Sequence, residues 1–234
     1  MPDFASWLAV LAVLACVVPA VLAITVHEVA HGAAALWLGD DTASRRGRLT
    51  INPLPHIDPV GTLAVPALLL VASTFVLGVP FAFGWAKPVP VIPARLRRPR
   101  RDLGLVAAAG PAANALMALA WVAVLKLLFL LKLAPTWPPG NLALMAEVGI
   151  LINLGVGLFN LLPLPPMDGS RIVSSLMPET AARKFDRIGQ HRLILLGVMV
   201  LLLASGALAA ILLPPMEAVA GLIERVAGVR LRYL

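Results

Sequence analysis

Residues 4–38 read FASWLAVLAVLACVVPAVLAITVHEVAHGAAALWL, an apolar run that carries two histidines and a glutamate near its end. The run is longer than the roughly 20 residues that an α-helix needs to cross about 30 Å of hydrocarbon. A Gly-Asp-Asp turn at 39–41 ends the helical pattern, and three arginines between positions 45 and 48 form a basic flank. The stretch therefore predicts a membrane-spanning helix whose last part holds three ionisable side chains.

The composition indicates that most of the chain lies in a membrane. Of 234 residues, 60% are hydrophobic and 13% are charged, whereas a soluble domain is roughly half apolar and about a quarter charged. Further apolar runs occur at 103–133, 141–163 and 191–213. The single cysteine, Cys16, excludes both a disulfide framework and a thiolate zinc site within the chain.

The net charge of +7 is better explained by membrane orientation than by nucleic acid, because the arginines sit in short clusters beside apolar runs without interleaved aromatic residues. We therefore expect no nucleic-acid partner. The sequence predicts an all-α polytopic membrane protein that forms a single integral domain over residues 1–234.

The apolar segment 60–83 is predicted to be a re-entrant or broken hairpin. It contains prolines, and it lies between two basic clusters, at 45–48 and 95–101. A single crossing would place one of these clusters on the wrong side of the bilayer. The expected fold thus has about four transmembrane helices, this hairpin and a C-terminal interfacial helix from 214 onward; the catalytic core covers about 4–175, and the last span and tail cover 190–234.

The pattern His27-Glu28-x-x-His31 matches H-E-x-x-H, in which two imidazoles four residues apart share one helix face and can bind zinc. The glutamate between them can act as a base. Within an apolar run each charge costs a few kcal/mol or more unless it finds a partner, and a metal supplies one. The alternative is a solvated helix end beyond the edge of the bilayer.

Zinc sites that hydrolyse peptides use three protein ligands and leave a fourth position for water. Asp168 is the best candidate for the third ligand. It lies in NLLPLPPMDG, residues 160–169, where the prolines break the preceding helix and Gly169 permits a tight turn. The alternative is an ordinary loop aspartate that follows a span.

Three motifs in this order, HEVAH at 27–31, GPAAN at 110–114 and N-x-x-P-x-x-x-x-D-G at 160–169, resemble the site-2 protease family of membrane metallopeptidases. NPLPHIDPVGT and GWAKPVPV are also similar to segments of its compact bacterial members without a PDZ domain. The resemblance covers about residues 20–175.

The resemblance implies a zinc metalloendopeptidase that cuts peptide bonds in or near transmembrane segments of substrate proteins. It implies that His27, His31 and Asp168 hold one Zn²⁺ per chain, that Glu28 activates the zinc-bound water, and that Asn160 positions substrate or steadies the oxyanion. The expected partners are the lipid bilayer and transmembrane protein or peptide substrates.

Three further residues remain open at this point. His56 and Asp58 could contact the site, gate it or bind a second ion, but a capped turn is the favoured interpretation, since Asp before Pro is common turn chemistry. Asn114 and Gly110 in GPAAN could serve function or only close helix packing.

The zinc hypothesis and the charge pattern favour the same topology. His27 and Asp168 can meet only if the first span and the 141–163 span end at the same depth, which requires 60–83 to return to the side from which it left. The basic stretches at 45–48, 95–101 and 171–187 then all lie in the cytoplasm. We therefore expect a multi-pass cell-membrane protein with its active site toward the cytoplasmic side.

Two alternatives of other classes compete with a protease. A metal-ion transporter or metal-binding membrane scaffold could use the same cluster, and it predicts that Glu28→Gln preserves function because the ligands are spared. A structural membrane protein without metal predicts no zinc in the purified protein.

Overall fold

The computed structural model describes residues 4–77, 84–132, 142–189, 191–228 and 231, and in these residues every regular element is helical. Within the described residues nine α-helices follow one another: α1 Phe4–Trp37, α2 Thr42–Arg45, α3 Val65–Leu77, α4 Pro99–Leu130, α5 Leu142–Asn160, α6 Asp168–Leu176, α7 Glu179–Ile188, α8 Arg192–Ala204 and α9 Ala207–Ala227. The structure also has two short 3₁₀ turns, at Leu54–His56 and Pro93–Arg95, and a π-helical turn at Pro59–Ala64.

Four of these segments are long and apolar enough to cross a membrane: Ala15–Trp37, Pro99–Leu130, Leu142–Asn160 and Ala207–Ala227. The all-α polytopic prediction is therefore confirmed. Helices α1, α4 and α5 pack against one another in the centre, and α6 packs on α4. The packing of α1, α4 and α5 on one another positions the site. Leu125 of α4 and Ile150 of α5, both 0% exposed, belong to a separate apolar cluster that these two helices share with α9.

The residues on either side of most of the apolar segment 60–83 lie next to each other. The Trp85 N–H donates to the Gly61 carbonyl oxygen at 3.0 Å, and the Lys87 N–H donates to the His56 carbonyl oxygen at 2.9 Å. Residues 61 and 85 therefore lie side by side, at the same level of the structure. This agrees with the predicted hairpin at 60–83, whose residues 78–83 lie outside the described part of the chain.

The C-terminal region differs from the sequence prediction in its boundaries. A span over 191–213 and an interfacial helix from 214 were expected, but α8 ends at Ala204, and α9 continues through Pro214 and Pro215 to Ala227. The break falls at Gly206, whose φ of 73° is in the left-handed region that glycine adopts without strain. Prolines are tolerated within a membrane helix that packs on its neighbours, as α9 packs on α5.

Residues 84–92 form an irregular segment, called the strap here, that runs along the end of α1. The buried carboxylate of Asp40 accepts hydrogen bonds from the Ile92 N–H at 2.6 Å and from the Thr42 N–H at 3.0 Å. Burial raises the pKa of the Asp40 carboxyl, but these hydrogen bonds and Arg95 outweigh burial and lower it. The strap is thus fastened beside the histidine-bearing part of α1.

Candidate metal centre

The three side chains predicted as zinc ligands meet at one point. The Nε2 atoms of His27 and His31 are 3.0 Å apart, and Asp168 Oδ2 lies 3.1 Å from the first and 3.2 Å from the second. Their side chains are only 7%, 12% and 12% exposed. Among the described residues this is the one group of three such donors close enough to share an ion.

Asp168 reaches the histidines because the chain turns sharply after α5. The helix ends at Asn160, and a turn closed by the Met167 N–H on the Leu164 carbonyl oxygen at 2.9 Å leads into α6. A Cβ on Gly169 would lie 2.2 Å from the Leu161 carbonyl oxygen, so only glycine allows this turn to pack so tightly. As the first residue of α6, Asp168 then lies beside α1.

Both imidazoles present an unprotonated nitrogen to the centre of the cluster. His31 Nδ1–H donates to the Val106 carbonyl oxygen at 2.7 Å, and His27 Nδ1–H donates to Asn114 Oδ1 at 2.6 Å. The assignment follows from the acceptors, because a carbonyl oxygen and an amide oxygen can only receive a proton. In the neutral imidazole, each Nε2 then carries a lone pair, which is the form that binds a metal.

The carboxylate of Asp168 supplies the negative charge of the cluster. An aspartate carboxyl titrates at about pH 3.9 in water, and a cation held between it and the two Nε2 atoms would lower its pKa further. The group is therefore ionised at neutral pH.

Gly110 of α4 lies directly against the two rings. A Cβ at this position would lie 2.5 Å from His31 Cε1 and 2.6 Å from both Cε1 and Nε2 of His27. Gly110 and Asn114, which belong to the same motif, thus contact the cluster itself. The interpretation of GPAAN as helix packing alone is therefore incomplete.

We expect Gly110→Ala to weaken zinc binding by about 100-fold, because the added methyl must displace the rings of the two predicted ligands, His27 and His31, from their present geometry. The measurement is the zinc affinity of the purified protein by competition with a chelator. Gly197→Ala is the control, since a Cβ there meets open space. Unchanged zinc affinity in Gly110→Ala would contradict the steric argument.

Glu28 is one residue from the first histidine and is held by the strap. Its Oε2 atom accepts a hydrogen bond from the Val89 N–H at 2.7 Å. The sequence did not predict this main-chain contact, although GWAKPVPV resembles a segment of the compact bacterial site-2 proteases. The carboxylate is partly buried at the edge of the cluster.

Asn160, the predicted aid to substrate or oxyanion binding, is the last residue of α5, and its Nδ2 donates to the Val156 carbonyl oxygen at 2.9 Å. Asp58 caps the π-helical turn by accepting from the N–H groups of Val60 and Gly61. The capped-turn interpretation is therefore correct for Asp58.

His56 is buried and supports the loop below the strap. Its Nε2–H donates to the Thr50 carbonyl oxygen at 3.1 Å, and its own carbonyl accepts from Lys87. The cluster of three possible metal ligands does not include His56.

Comparison with known proteins of similar sequence identifies the family of this chain. A family model described as "Peptidase family M50" matches residues 132–204. A Bacillus subtilis protein named "Putative zinc metalloprotease YwhC" is 37% identical over 185 residues, which cover 78% of this chain and 78% of that protein. The chain belongs to peptidase family M50, the site-2 proteases.

Other relatives of this site-2 protease are proteins named "Putative zinc metalloprotease Rip2" from Mycolicibacterium smegmatis and Mycobacterium tuberculosis. Both are 30% identical over 162 residues, which cover 68% of this chain and 56% of the relatives. No solved structure gives a significant match. Membership of the family makes the chain a zinc metalloprotease of the membrane, which disfavours both the transporter and the metal-free alternatives.

In this site-2 protease, the spacing and the chemistry of His27, His31 and Asp168 fit a zinc ion. Ligand atoms at about 2.0–2.1 Å from a tetrahedral zinc lie roughly 3.3 Å apart, close to the observed 3.0–3.2 Å. Two neutral imidazoles and one carboxylate are also a donor set found in hydrolytic zinc sites. Two Nε2 lone pairs facing each other would repel without a cation between them.

Proposed function

We propose that this site-2 protease hydrolyses peptide bonds within or beside the transmembrane segments of membrane proteins, with His27, His31 and Asp168 as its zinc ligands. The observation that carries the proposal is the meeting of two Nε2 atoms and one carboxylate oxygen within 3.2 Å of one another, at the end of a membrane-spanning helix. The catalytic core comprises about residues 4–175.

Glu28 is the proposed base. When bound, zinc supplies a Lewis acid that polarises a carbonyl oxygen and makes water more acidic. Glu28 takes the proton from the attacking water and passes it to the leaving amine. The hydrogen bond from Val89 to Oε2 keeps the carboxylate in place and leaves Oε1 as the atom that receives the proton.

The proposed orientation places the site toward the cytoplasm. Arg95 Nη1 donates to Thr42 Oγ1 at 3.0 Å, and Arg100 Nη2 donates to the Ser174 carbonyl oxygen at 3.1 Å. These contacts support placing the basic stretches 45–48, 95–101 and 171–187 at the end of the bundle that holds Asp168. Basic loops favour the cytoplasmic side of a membrane.

A substrate helix must unwind before cleavage, since its carbonyl groups are hydrogen-bonded within the helix. Substrates with helix-breaking residues near the cut are therefore expected. The irregular polar segments at 49–59 and 160–169 provide a route for water to a site below the bilayer surface. For Asn160 to hold substrate, its amide must exchange the Val156 carbonyl for the substrate.

Metal removal tests this function. We expect the full chain in liposomes to contain about one zinc and to cleave a single-span substrate, and a chelator to lower cleavage by at least about 100-fold. Readdition of zinc should restore cleavage. Cleavage that persists after complete loss of zinc would refute the proposal, and zinc flux without cleavage would favour a transporter.

A further inference from the structure

A chain of buried amides connects α5 to the imidazole of His27. Asn153 of α5 and Asn114 of α4 are both 0% exposed. Asn153 Nδ2 donates to the Gly149 carbonyl oxygen at 2.8 Å, Asn114 Nδ2 donates to Asn153 Oδ1 at 2.9 Å, and His27 Nδ1–H donates to Asn114 Oδ1 at 2.6 Å. The Gly149 carbonyl, which can only accept, thus orients the Asn153 amide so that its oxygen faces Asn114.

We propose that Asn153 is a positioning residue for zinc binding, which acts through Asn114 to keep His27 Nε2 free of a proton. The inference rests on the proposed function, because it takes His27 as a zinc ligand. The two ends of an asparagine amide have nearly the same shape, so its hydrogen-bond partners decide its orientation. If the Asn114 amide turned over, its NH₂ group would face Nδ1, and the imidazole proton would move to Nε2.

Asn153 prevents this reversal. The Asn114 NH₂ group has two acceptors, Asn153 Oδ1 at 2.9 Å and the Ala23 carbonyl oxygen at 3.2 Å. A reversed amide would place its oxygen against both of them, which is unfavourable in a buried site. Without Asn153 only the longer of the two contacts opposes the reversal.

The tautomer of His31 does not depend on a side-chain amide. His31 Nδ1–H donates to the backbone carbonyl of Val106, which cannot turn over. His27 is the ligand whose tautomer depends on a side chain, and that side chain is the one oriented by a second amide. The alternative is that Asn114 and Asn153 have only a structural role in helix packing. In that case substitution of Asn153 would change stability but not the His27 tautomer.

The first experiment measures zinc affinity by chelator competition in the detergent-purified full chain. We expect Asn153→Leu to bind zinc about 10–100-fold more weakly, as for other partners that orient a ligand. Asn153→Asp keeps an acceptor for Asn114 and should stay within about threefold of wild type. Ile150→Ala, buried on the same helix, should lower thermal stability and leave zinc affinity unchanged.

Two further measurements isolate the orientation of Asn114. The ¹⁵N spectrum of histidine in the metal-free protein should show His27 protonated at Nδ1 in wild type and partly at Nε2 in Asn153→Leu. In an Asn114→Asp background, where both oxygens accept and no wrong orientation exists, Asn153→Leu should cause no further loss of zinc affinity.

Wild-type zinc affinity in Asn153→Leu, or an equal loss in Ile150→Ala, would overturn the inference and leave the proposed function standing. A wild-type protein without zinc would overturn both. If Asn153→Leu does not fold, Asn153→Ala adds no bulk and is held to the same expectation and the same refutation.

Discussion

Glu28→Gln is expected to lower the rate of peptide-bond cleavage by about 10²–10⁴-fold, the usual contribution of a general base, while the zinc content stays that of wild type. Glutamine cannot take a proton from water at neutral pH. Its side-chain oxygen can still accept the hydrogen bond that Val89 donates to Glu28, so the strap keeps its attachment. We therefore expect the substitution to lower the rate of cleavage without changing the fold.

The measurement compares cleavage of a single-span substrate, and the membrane fragments that accumulate in cells, between wild type and the variant. Glu179→Gln is the matched control, because Glu179 lies on the exposed surface of α7 in an ion pair with Arg183; its activity should stay within about twofold of wild type. Cleavage by Glu28→Gln above a tenth of the wild-type rate would remove Glu28 from the mechanism.

Asp168→Asn should lower zinc affinity by at least about 100-fold, since loss of a ligand exceeds the 10–100-fold cost of losing a group that orients one. The substitution keeps the size of the side chain but removes its charge and replaces one oxygen by a poorly coordinating NH₂ group. Cleavage should be lost with the zinc.

Elemental analysis and chelator competition on the purified protein measure this loss. Asp186→Asn, an exposed Asp-to-Asn change on α7, should retain zinc. Equal zinc content in both variants would exclude Asp168 as a ligand.

The histidine pair could be predicted because its geometry is local: residues four apart on a helix share a face whatever surrounds them. Asp168 required an argument about the topology of the whole chain, in which the hairpin at 60–83 decides the depth at which α5 ends. The predicted topology rests on the distribution of basic residues and on the need for His27 and Asp168 to lie at the same depth. The hydrogen bond between Trp85 and Gly61 agrees with it.

The partners of the imidazoles could not be predicted, because Val106, Asn114 and Asn153 reach the site only through helix packing. One signal was available: Asn153 is an amide within the otherwise apolar stretch 148–159, where an unsatisfied polar group is costly. At the C-terminus the helix break falls at Gly206 and not at Pro214, the residue from which the interfacial helix was expected. The neighbouring helix compensates for proline, whereas a left-handed residue ends a helix regardless of its neighbours.

The attachment of Glu28 to the strap affects how scanning mutagenesis would report on this enzyme. The donor is the main-chain N–H of Val89, which every residue except proline retains, so an alanine scan of 84–92 would not detect the contact that holds the proposed base. Pro88 and Pro90 on either side have no N–H to offer in its place. Among substitutions at position 89, only proline would remove this backbone donor to Glu28.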